Sequence, residues 1–375
     1  MTGAIDRIKI TGFKSIREAD LVLRPLNVLI GPNGVGKSNV IALFRLLNQL
    51  VERRLQIQVS TVGGANGLLH FGRKRTPSLR VEVVFSDKNT CYGCQLDGDD
   101  DDRLFFAEEA VFLNDRARRD WPHKESHPWP QTLGLGNGGH RETNLSDEQN
   151  QPTSELAGYV ITVIRSWRIY HFHDTSAEAR VKQACDLHDN RALNGDASNL
   201  PALLYLLKQQ HPAHYRNIVD AVRMVAPFFE DFVLEPLALY PDKIRLEWRE
   251  AGAENVFGPN ALSDGTLRFM CLATLLLQPQ LPTTLLLDEP ELGLHPFAIT
   301  LLADLLRGAA TKTQVIASTQ STSLVNQFEP QDVVIVERDA GQSVFRRLDE
   351  AAMKDWLEDY GLGDLWEKNL LGGRP

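Results

Sequence analysis

The eight residues Gly31–Ser38 constrain this chain more than any other feature. They read Gly-Pro-Asn-Gly-Val-Gly-Lys-Ser, with the spacing G-x-x-x-x-G-K-S. An apolar run, Leu26–Ile30, precedes them, and a run of helical character begins at Asn39. Strand, glycine loop and helix in this order predict a phosphate-binding loop (P-loop). Glycines let successive backbone N–H groups turn towards an anion, and the N-terminus of the new helix adds its dipole.

Within this loop, two side chains have predicted chemical roles. Lys37 supplies a mobile charge for the β- and γ-phosphates of a nucleotide, which makes it a candidate catalytic residue, and the Ser38 hydroxyl is a candidate Mg²⁺ ligand. We expect the nucleotide to be bound by the end of the loop and the first helical residues, Asn33, Gly34, Val35, Gly36, Lys37, Ser38 and Asn39. The loop alone is compatible with kinases, GTPases and many motor proteins.

Length and composition exclude several classes of protein. The chain has 375 residues, of which 43% are hydrophobic and 24% charged, as in a globular protein of one large domain or two. No apolar run approaches the roughly 18 residues that cross a bilayer, and the N-terminus lacks the apolar centre of a signal peptide. We therefore expect a soluble cytoplasmic protein without a membrane partner. The net charge of −9 argues against a broadly basic nucleic-acid binder.

A second group of candidate site residues lies in the last third of the chain. Ser263 stands where the N-cap of an apolar helix belongs, and together with Gly265 it predicts a second anion site. The apolar run 283–287 ends in Asp288 and Glu289. Open α/β sheets bind ligands at such strand ends. Asp288 is expected to hold Mg²⁺ through water, and Glu289 to orient or deprotonate the attacking water.

Together these motifs resemble those of the ABC-type ATPase heads of the RecF/SMC/OLD group. In chain order they are Gly31–Ser38, Leu262–Arg268, Leu285–Pro296 and Ser318–Ser321. The resemblance is narrower to compact bacterial AAA-family ATPases that lack a long coiled coil. Phe13-Lys14-Ser15 before the loop, and Leu365-Trp366 before Gly372-Gly373, fit that group. The resemblance covers residues 1–85 and 228–375.

The resemblance implies an α/β fold of the P-loop ATPase head type, with a mixed central sheet flanked by helices. It implies a β-rich N-terminal lobe with the P-loop over 1–85 and a C-terminal lobe with the signature, Walker B and switch motifs over 228–375. Between them, 86–227 is interpreted as an insertion of flexible loops followed by a helical subdomain. Strand character persists within it near Tyr92–Leu96 and Leu104–Leu113.

A mechanism is also implied by the resemblance. Leu262–Thr266 corresponds to the signature motif, which acts in trans in such heads. ATP bound by Lys37 of one protomer would be capped by Ser263 and Gly265 of the other, so that ATP closes a homodimer and hydrolysis releases it. By the same resemblance, Lys14 would lie against the base or ribose of the nucleotide.

The chain departs from the group at two positions. The switch residue, usually histidine, is Gln320, which we take as a catalytic residue. Glutamine can hydrogen-bond the γ-phosphate or the attacking water but cannot become cationic, so we expect slow hydrolysis and long-lived ATP-bound dimers. His295 replaces an aspartate that commonly makes a trans contact. The Q-loop glutamine has two candidates, Gln56 and Gln58.

The leading functional hypothesis is an ATP-hydrolysing, ATP-dimerising switch in DNA repair or anti-phage defence that controls a nuclease partner, with DNA as a further candidate partner. This hypothesis comes from the family resemblance. The alternative is a slow-hydrolysing, ATP-bound regulatory scaffold that sequesters an effector protein without acting on DNA. A transporter motor is disfavoured because no membrane segment is predicted.

Three further patterns carry weaker interpretations. Arg73–Arg75 is interpreted as solvated surface, with a phosphate-backbone contact as the alternative. Cys91–Cys94 and Cys185–His188 have the spacing of metal ligands, but the two pairs are far apart in sequence. His171 and His173 alternate on one face of a predicted strand and lack a third ligand.

Overall fold

The computed structural model describes residues 3–86, 90–113, 133–136, 138–147, 149 and 151–373. The chain forms two compact units. The first comprises Met1–Trp167, Glu329–Tyr360 and Asp364–Pro375, and the second comprises Arg168–Phe328 and Gly361–Gly363. The sequence predicts two lobes, over 1–85 and 228–375, with an insertion over 86–227. This predicted division stays a prediction.

The strands of the described residues vary widely in length. They are β1 (Ile5–Phe13), β2 (Ile16–Val22), β3 (Leu26–Ile30), β4 (Ser78–Phe85), β5 (Thr90–Gly98), β6 (Leu104–Leu113), β7 (Leu133–Gly134), β8 (Arg168–Tyr170), β9 (Cys185–Asp186), β10 (Phe229–Val233), β11 (Pro236–Leu237), β12 (Tyr240–Ile244), β13 (Glu247–Glu250), β14 (Val256–Phe257), β15 (Thr284–Asp288), β16 (Gln314–Thr319), β17 (Val333–Asp339) and β18 (Gln342–Arg347).

Helices lie between groups of these strands, which makes the fold mixed α/β. They are α1 (Lys37–Val51), α2 (Leu55–Thr61), α3 (Gly64–Leu68), α4 (Glu155–Ser166), α5 (Leu200–Gln210), α6 (Pro212–Val225), α7 (Asp264–Leu277), α8 (Pro296–Ala310), α9 (Thr322–Val325), α10 (Glu350–Leu357) and α11 (Leu362–Glu367). Across the described ranges, no helix combines the length and the apolar character needed to cross a bilayer.

An antiparallel sheet with the strand order β2-β1-β4-β5-β6-β7 dominates the first unit. Ile10 on β1 pairs with Ala19 on one side and with Val81 on the other. Strands β5 and β6 confirm the strand character predicted near 92–96 and 104–113, and β5 is longer than predicted. Apolar residues such as Tyr92 and Leu104 are fully buried there, so this part of the predicted loop segment extends the sheet. Residues 114–132 of that segment lie outside the described residues.

Strand β3 of the first unit is buried along its whole length, as expected for a strand covered on both faces. It pairs in parallel with β17, placing Ile30 beside Ile335, and β17 pairs antiparallel with β18. Helix α1 follows β3 after the glycine loop and buries Phe44 against Trp167, with ring centroids 4.9 Å apart. The strand, loop and helix predicted around Gly31–Ser38 are therefore confirmed.

In the second unit, β15 pairs in parallel with β16 and with β8, so that Leu286 lies between Ile316 and Ile169. The carboxyl ends of β15 and β16 lie side by side, because Asp288 is in register with Ser318. The strand predicted over 169–174 is confirmed only at its start, since β8 ends at Tyr170, before His171 and His173. The backbone beyond it bonds elsewhere: His171 N donates to Gly195 O at 2.8 Å.

Candidate functional site

The glycine loop of the first unit lies against the hairpin formed by β17 and β18. Gly36 has a φ of 112°, a left-handed conformation that glycine adopts readily. A Cβ at this position would collide with the hydroxyls of Ser343 and Ser15. The Ser343 hydroxyl also donates to Val35 O. Glycine is required here both by the backbone conformation and by this close approach.

Lys37 is only 5% exposed, and the loop itself holds its charge. Its Nζ donates to Gly31 O at 2.5 Å and to Pro32 O at 3.0 Å. Ser38 at the start of α1 is exposed, as are Asn33 and Gly34. The loop therefore combines one positioned cation with accessible loop residues, the combination that a phosphate site needs.

A small network of hydrogen bonds around Ser15 lies against this loop. The Ser15 hydroxyl lies 2.6 Å from the Ser343 hydroxyl and accepts from Asn39 Nδ2 at 2.6 Å. Lys14, one residue before Ser15, is half-buried and has a φ of 48°. Burial and the neighbouring charge of Arg45 lower the pKa of the Lys14 ammonium. Of the two predicted residues, Asn39 joins this network, and Lys14 lies near it as the chain neighbour of Ser15.

Sequence reasoning missed two residues that support the loop. Ser343 is one, and no motif or spacing points to it. Arg338 is the other: its exposed guanidinium donates from Nη1 to Gly34 O at 3.2 Å. Both lie on the β17–β18 hairpin, far from the loop in sequence, so only the pairing of β17 with β3 brings them there.

The two predicted carboxylates of the second unit lie at the end of β15. The Asp288 carboxylate accepts from the Ser318 hydroxyl, and its carbonyl accepts from His173 Nε2 at 2.8 Å. Glu289 has a φ of 46°, which costs a residue with a Cβ about 1–3 kcal/mol. Its N–H donates to Ser318 O at 2.9 Å, which helps to hold this conformation.

Gln320, the predicted switch residue, directly follows β16. Its Nε2 donates to the Glu289 carboxylate. A carboxylate that can accept a proton and an amide that can orient a water molecule are therefore in contact. Glu291, which sequence reasoning missed, lies beside them and accepts from Gln320 N at 3.3 Å.

The signature residues begin α7 of the second unit. Ser263 is the N-cap that the sequence predicts, because its hydroxyl accepts from Thr266 N at 3.1 Å. A Cβ on Gly265 would lie 2.5 Å from Gly293 O, which is too close for any side chain. The absence of a side chain at Gly265 thus lets the signature turn approach the turn that follows Glu289.

Arg268 fixes the signature helix to its surroundings through three backbone carbonyls. Its guanidinium donates to Phe172 O at 3.1 Å, His173 O at 2.8 Å and Leu292 O at 2.8 Å. The planar fork of arginine suits several acceptors at fixed angles. Sequence reasoning placed Arg268 in a motif but gave it no role.

Other candidate residues are bound elsewhere. The Gln56 amide donates to Leu104 O and Arg141 O, both at 2.8 Å. Gln58 lies within α2. The His295 ring accepts from Phe297 N at 3.3 Å and caps α8. None of these contacts identifies the Q-loop glutamine or a trans contact of His295, and both stay predictions.

The basic triplet and the first cysteine pair are engaged within the chain itself. Arg73 pairs with Asp100 at 2.7 Å, and the Arg75 guanidinium lies 4.7 Å from the centre of the Phe71 ring. Cys91 and Cys94 are buried, and burial raises the pKa of each thiol to about 12. Within the part of the chain that the structure describes, no three histidine, cysteine or acidic side chains form a group that could hold a metal ion.

The glycine loop, the carboxylates at the end of β15 and the capped signature helix together define a P-loop ATPase head. Solved structures with this fold include an SMC head bound to the C-terminal winged-helix domain of ScpA, which is 17% identical, has a TM-score of 0.59 and covers 93% of this chain and 99% of its own. An SMC head from Pyrococcus furiosus, with an extended coiled coil and bound to the C-terminal domain of ScpA, is 16% identical and has a TM-score of 0.58. The match covers 94% of this chain and 98% of that structure. An SMC head from Pyrococcus yayanosii is 12% identical and has a TM-score of 0.54, and the match covers 95% of this chain and 99% of that structure.

The chain belongs to the family described as "AAA domain, putative AbiEii toxin, Type IV TA system", whose profile matches residues 26–326. No curated protein matches the sequence. The predicted fold class and the predicted relationship to SMC-like ATPase heads are therefore confirmed.

Proposed function

We propose that this protein hydrolyses ATP at a site completed by a second copy of the chain, and that ATP binding closes the dimer. The observation that carries the proposal is the contact between Gln320 and Glu289 at the ends of β16 and β15. This contact places a hydrogen-bond donor on a carboxylate at the strand ends where open α/β sheets bind ligands.

Each step of binding is assigned to residues whose environment suits it. Lys37 and the loop N–H groups bind the β- and γ-phosphates. Ser38 offers a hydroxyl and Asp288 a carboxylate, the hard oxygen ligands that Mg²⁺ prefers. A Mg²⁺ ion held there would neutralise charge that develops on the phosphates.

The proton transfer is assigned to Glu289. Its carboxylate accepts a proton from the attacking water, while the Gln320 amide restricts where that water can lie. The left-handed φ of Glu289 turns its side chain away from the course of β15, so that it meets Gln320. A strained residue at such a position is consistent with a role in catalysis.

Dimerisation is assigned to the signature turn. Ser263 is exposed at the N-terminus of α7, where the helix dipole favours an anion. A phosphate bound by a second copy would supply such an anion. The dimer would then be stable only while the γ-phosphate is present, which makes nucleotide binding a switch.

The biological role that we propose is control of an effector protein, such as a nuclease, in defence against phage. The family description names a toxin–antitoxin system, which favours defence over DNA repair. Two of the SMC heads with this fold carry a bound partner domain, so an ATPase head of this shape can present a surface to another protein.

Replacing Ser263 by arginine tests the composite site. We expect Ser263→Arg to abolish ATP-dependent dimerisation while the monomer binds ATP within about threefold of the wild-type Kd, because an added cation and its bulk block only the partner's phosphate site. Light scattering with and without ATP measures the mass. Ser60→Arg, at an exposed serine of α2, is the matched control. Dimers that persist in Ser263→Arg would contradict the proposal.

The scaffold alternative is favoured by one observation, the glutamine at position 320. The Gln320 amide donates a hydrogen bond to the Glu289 carboxylate. Glutamine cannot become positively charged as a histidine could. Under this alternative the protein holds an effector for as long as ATP stays intact.

Gln320→His tests whether residue 320 limits the rate of hydrolysis, as the scaffold alternative requires. We expect it to raise single-turnover hydrolysis by about tenfold and to shorten the lifetime of the ATP-bound dimer, because an imidazolium stabilises developing phosphate charge. Phosphate release and dimer dissociation are measured side by side, with Gln320→Ala as the control for loss of the amide. Unchanged turnover and lifetime would show that residue 320 does not set the rate.

A further inference from the structure

Glu291 is a buried carboxyl group that the mechanism above does not use. It is 7% exposed and lies two residues beyond Glu289. Its Oε1 accepts from the Thr319 hydroxyl and from Gln320 N at 3.3 Å. Its Oε2 is also buried, and no described residue forms a hydrogen bond with it.

Burial of this group is costly. A carboxylate removed from water loses solvation that only good hydrogen bonds restore. Burial raises the pKa of the Glu291 carboxyl, while the hydrogen bonds from Thr319 and from the backbone act in the opposite direction. Because its Oε2 lacks a hydrogen-bond partner within the described part of the chain, the Glu291 carboxyl contributes little to the stability of the fold. Its buried position therefore requires another explanation.

The contacts of Glu291 converge on the switch segment. The Thr319 hydroxyl, which donates to Glu291, also accepts from Ser321 N at 3.0 Å. One carboxylate oxygen therefore organises three successive residues, with Gln320 in the middle. These hydrogen bonds fix the backbone from which the Gln320 side chain reaches Glu289.

Glu289, the residue that Gln320 contacts, is also linked to Glu291 through the backbone. Leu292 N donates to Glu289 O at 3.2 Å, and Leu294 N donates to Glu291 O at 3.0 Å. Glu289 and Glu291 thus belong to one hydrogen-bonded turn. Through its backbone Glu291 belongs to the turn of the proposed base, and through its side chain it holds the switch residue.

We propose that Glu291 is a positioning residue that sets the contact between Gln320 and Glu289. This inference rests on the proposed function, in which that contact orients the attacking water. It requires only a hydrogen-bond acceptor at Oε1 and no charge. Because the hydrogen bonds of its side chain go to the switch segment, Glu291 should affect the rate of hydrolysis and leave nucleotide binding unchanged.

Alanine and glutamine at position 291 test the proposal. Glu291→Ala should lower kcat by about 10- to 100-fold, with KM and the Kd for ATP within about threefold, because small misplacements of catalytic groups have effects of this size. Glu291→Gln keeps an acceptor oxygen and should retain at least about half of the wild-type kcat. A Glu291→Gln variant as inactive as Glu289→Gln, or a Glu291→Ala variant with wild-type kcat, would overturn the proposal.

Thr319→Val approaches the same network from the opposite side, should Glu291→Ala fold poorly. It removes the hydroxyl that donates to Glu291 and should also lower kcat without changing the Kd for ATP. The double variant should be no slower than the slower single variant, because both changes break one unit. Independent, multiplying losses would overturn the proposal.

The outcome for Glu291 is separable from that for the proposed function. If the wild-type protein does not hydrolyse ATP, or if Glu289→Gln is fully active, the proposed function fails. If Glu289→Gln is inactive while Glu291→Ala and Thr319→Val both hydrolyse ATP at the wild-type rate, only the positioning role fails.

Discussion

Glu289→Gln is expected to slow ATP hydrolysis by about 10²- to 10⁴-fold, the range that a general base contributes. Glutamine has the same size and keeps an oxygen that can accept from Gln320 Nε2, so the contact at the end of β16 should survive. The negative charge of the carboxylate is lost, and with it the ability to take a proton. ATP-bound dimers should therefore accumulate, as seen by light scattering together with single-turnover phosphate release.

Glu254→Gln is the matched control for this variant, because Glu254 is an exposed glutamate of the same unit. It should hydrolyse ATP at the wild-type rate. If Glu289→Gln retained a third or more of the wild-type rate, another group would have to accept the proton and the assignment of Glu289 would be wrong.

Lys37→Ala is expected to weaken ATP binding by about 100-fold or more. Hydrogen bonds to charged groups contribute about 1.5–3 kcal/mol each, and two such contacts to phosphate oxygens account for a loss of this size. The Lys37 side chain is buried and bonded to the loop carbonyls, so it is positioned before any phosphate arrives. Calorimetric titration with ATP measures the loss.

The carbonyls of Gly31 and Pro32 lose their donor in this variant, so thermal unfolding should be recorded beside binding. Lys312→Ala, at an exposed lysine after α8, is the control. Binding within threefold of wild type would show that Gly31–Ser38 is not the ATP site. Lys37→Ala should form no dimer with ATP, whereas Glu289→Gln should accumulate it, so the two variants separate binding from hydrolysis.

Features encoded within a few neighbouring residues were predictable. The strand, loop and helix around Gly31–Ser38 follow from apolar runs and glycine spacing, and the Ser263 cap follows from its place before an apolar helix. The end of β15 at Asp288 follows from an apolar run that stops at a charge. These are local signals, because turns, caps and strand ends depend on adjacent residues.

Local patterns failed where distant parts of the chain compete for the same backbone groups. The alternation around His171 and His173 suggested a strand, but the carbonyl of His173 is bound by Arg268 and its ring binds the Asp288 carbonyl. Strand character near 92–96 and 104–113 was predictable, but the antiparallel pairing of β5 with β4 and with β6 was not. Neither outcome can be read from spacing, because it depends on which neighbours the fold supplies.

By itself the sequence determined which chemical groups the protein has: a phosphate-binding loop, a capped signature helix and two acids at a strand end. The tertiary structure alone decided which of these groups meet and what holds them. The parallel pairing of β15 with β16 brings Gln320 into contact with Glu289, and Glu291 is buried beside Gln320. The pairing of β3 with β17 brings Ser343 to the glycine loop. Pairing between distant strands is set by the burial of whole apolar faces, to which no short motif corresponds.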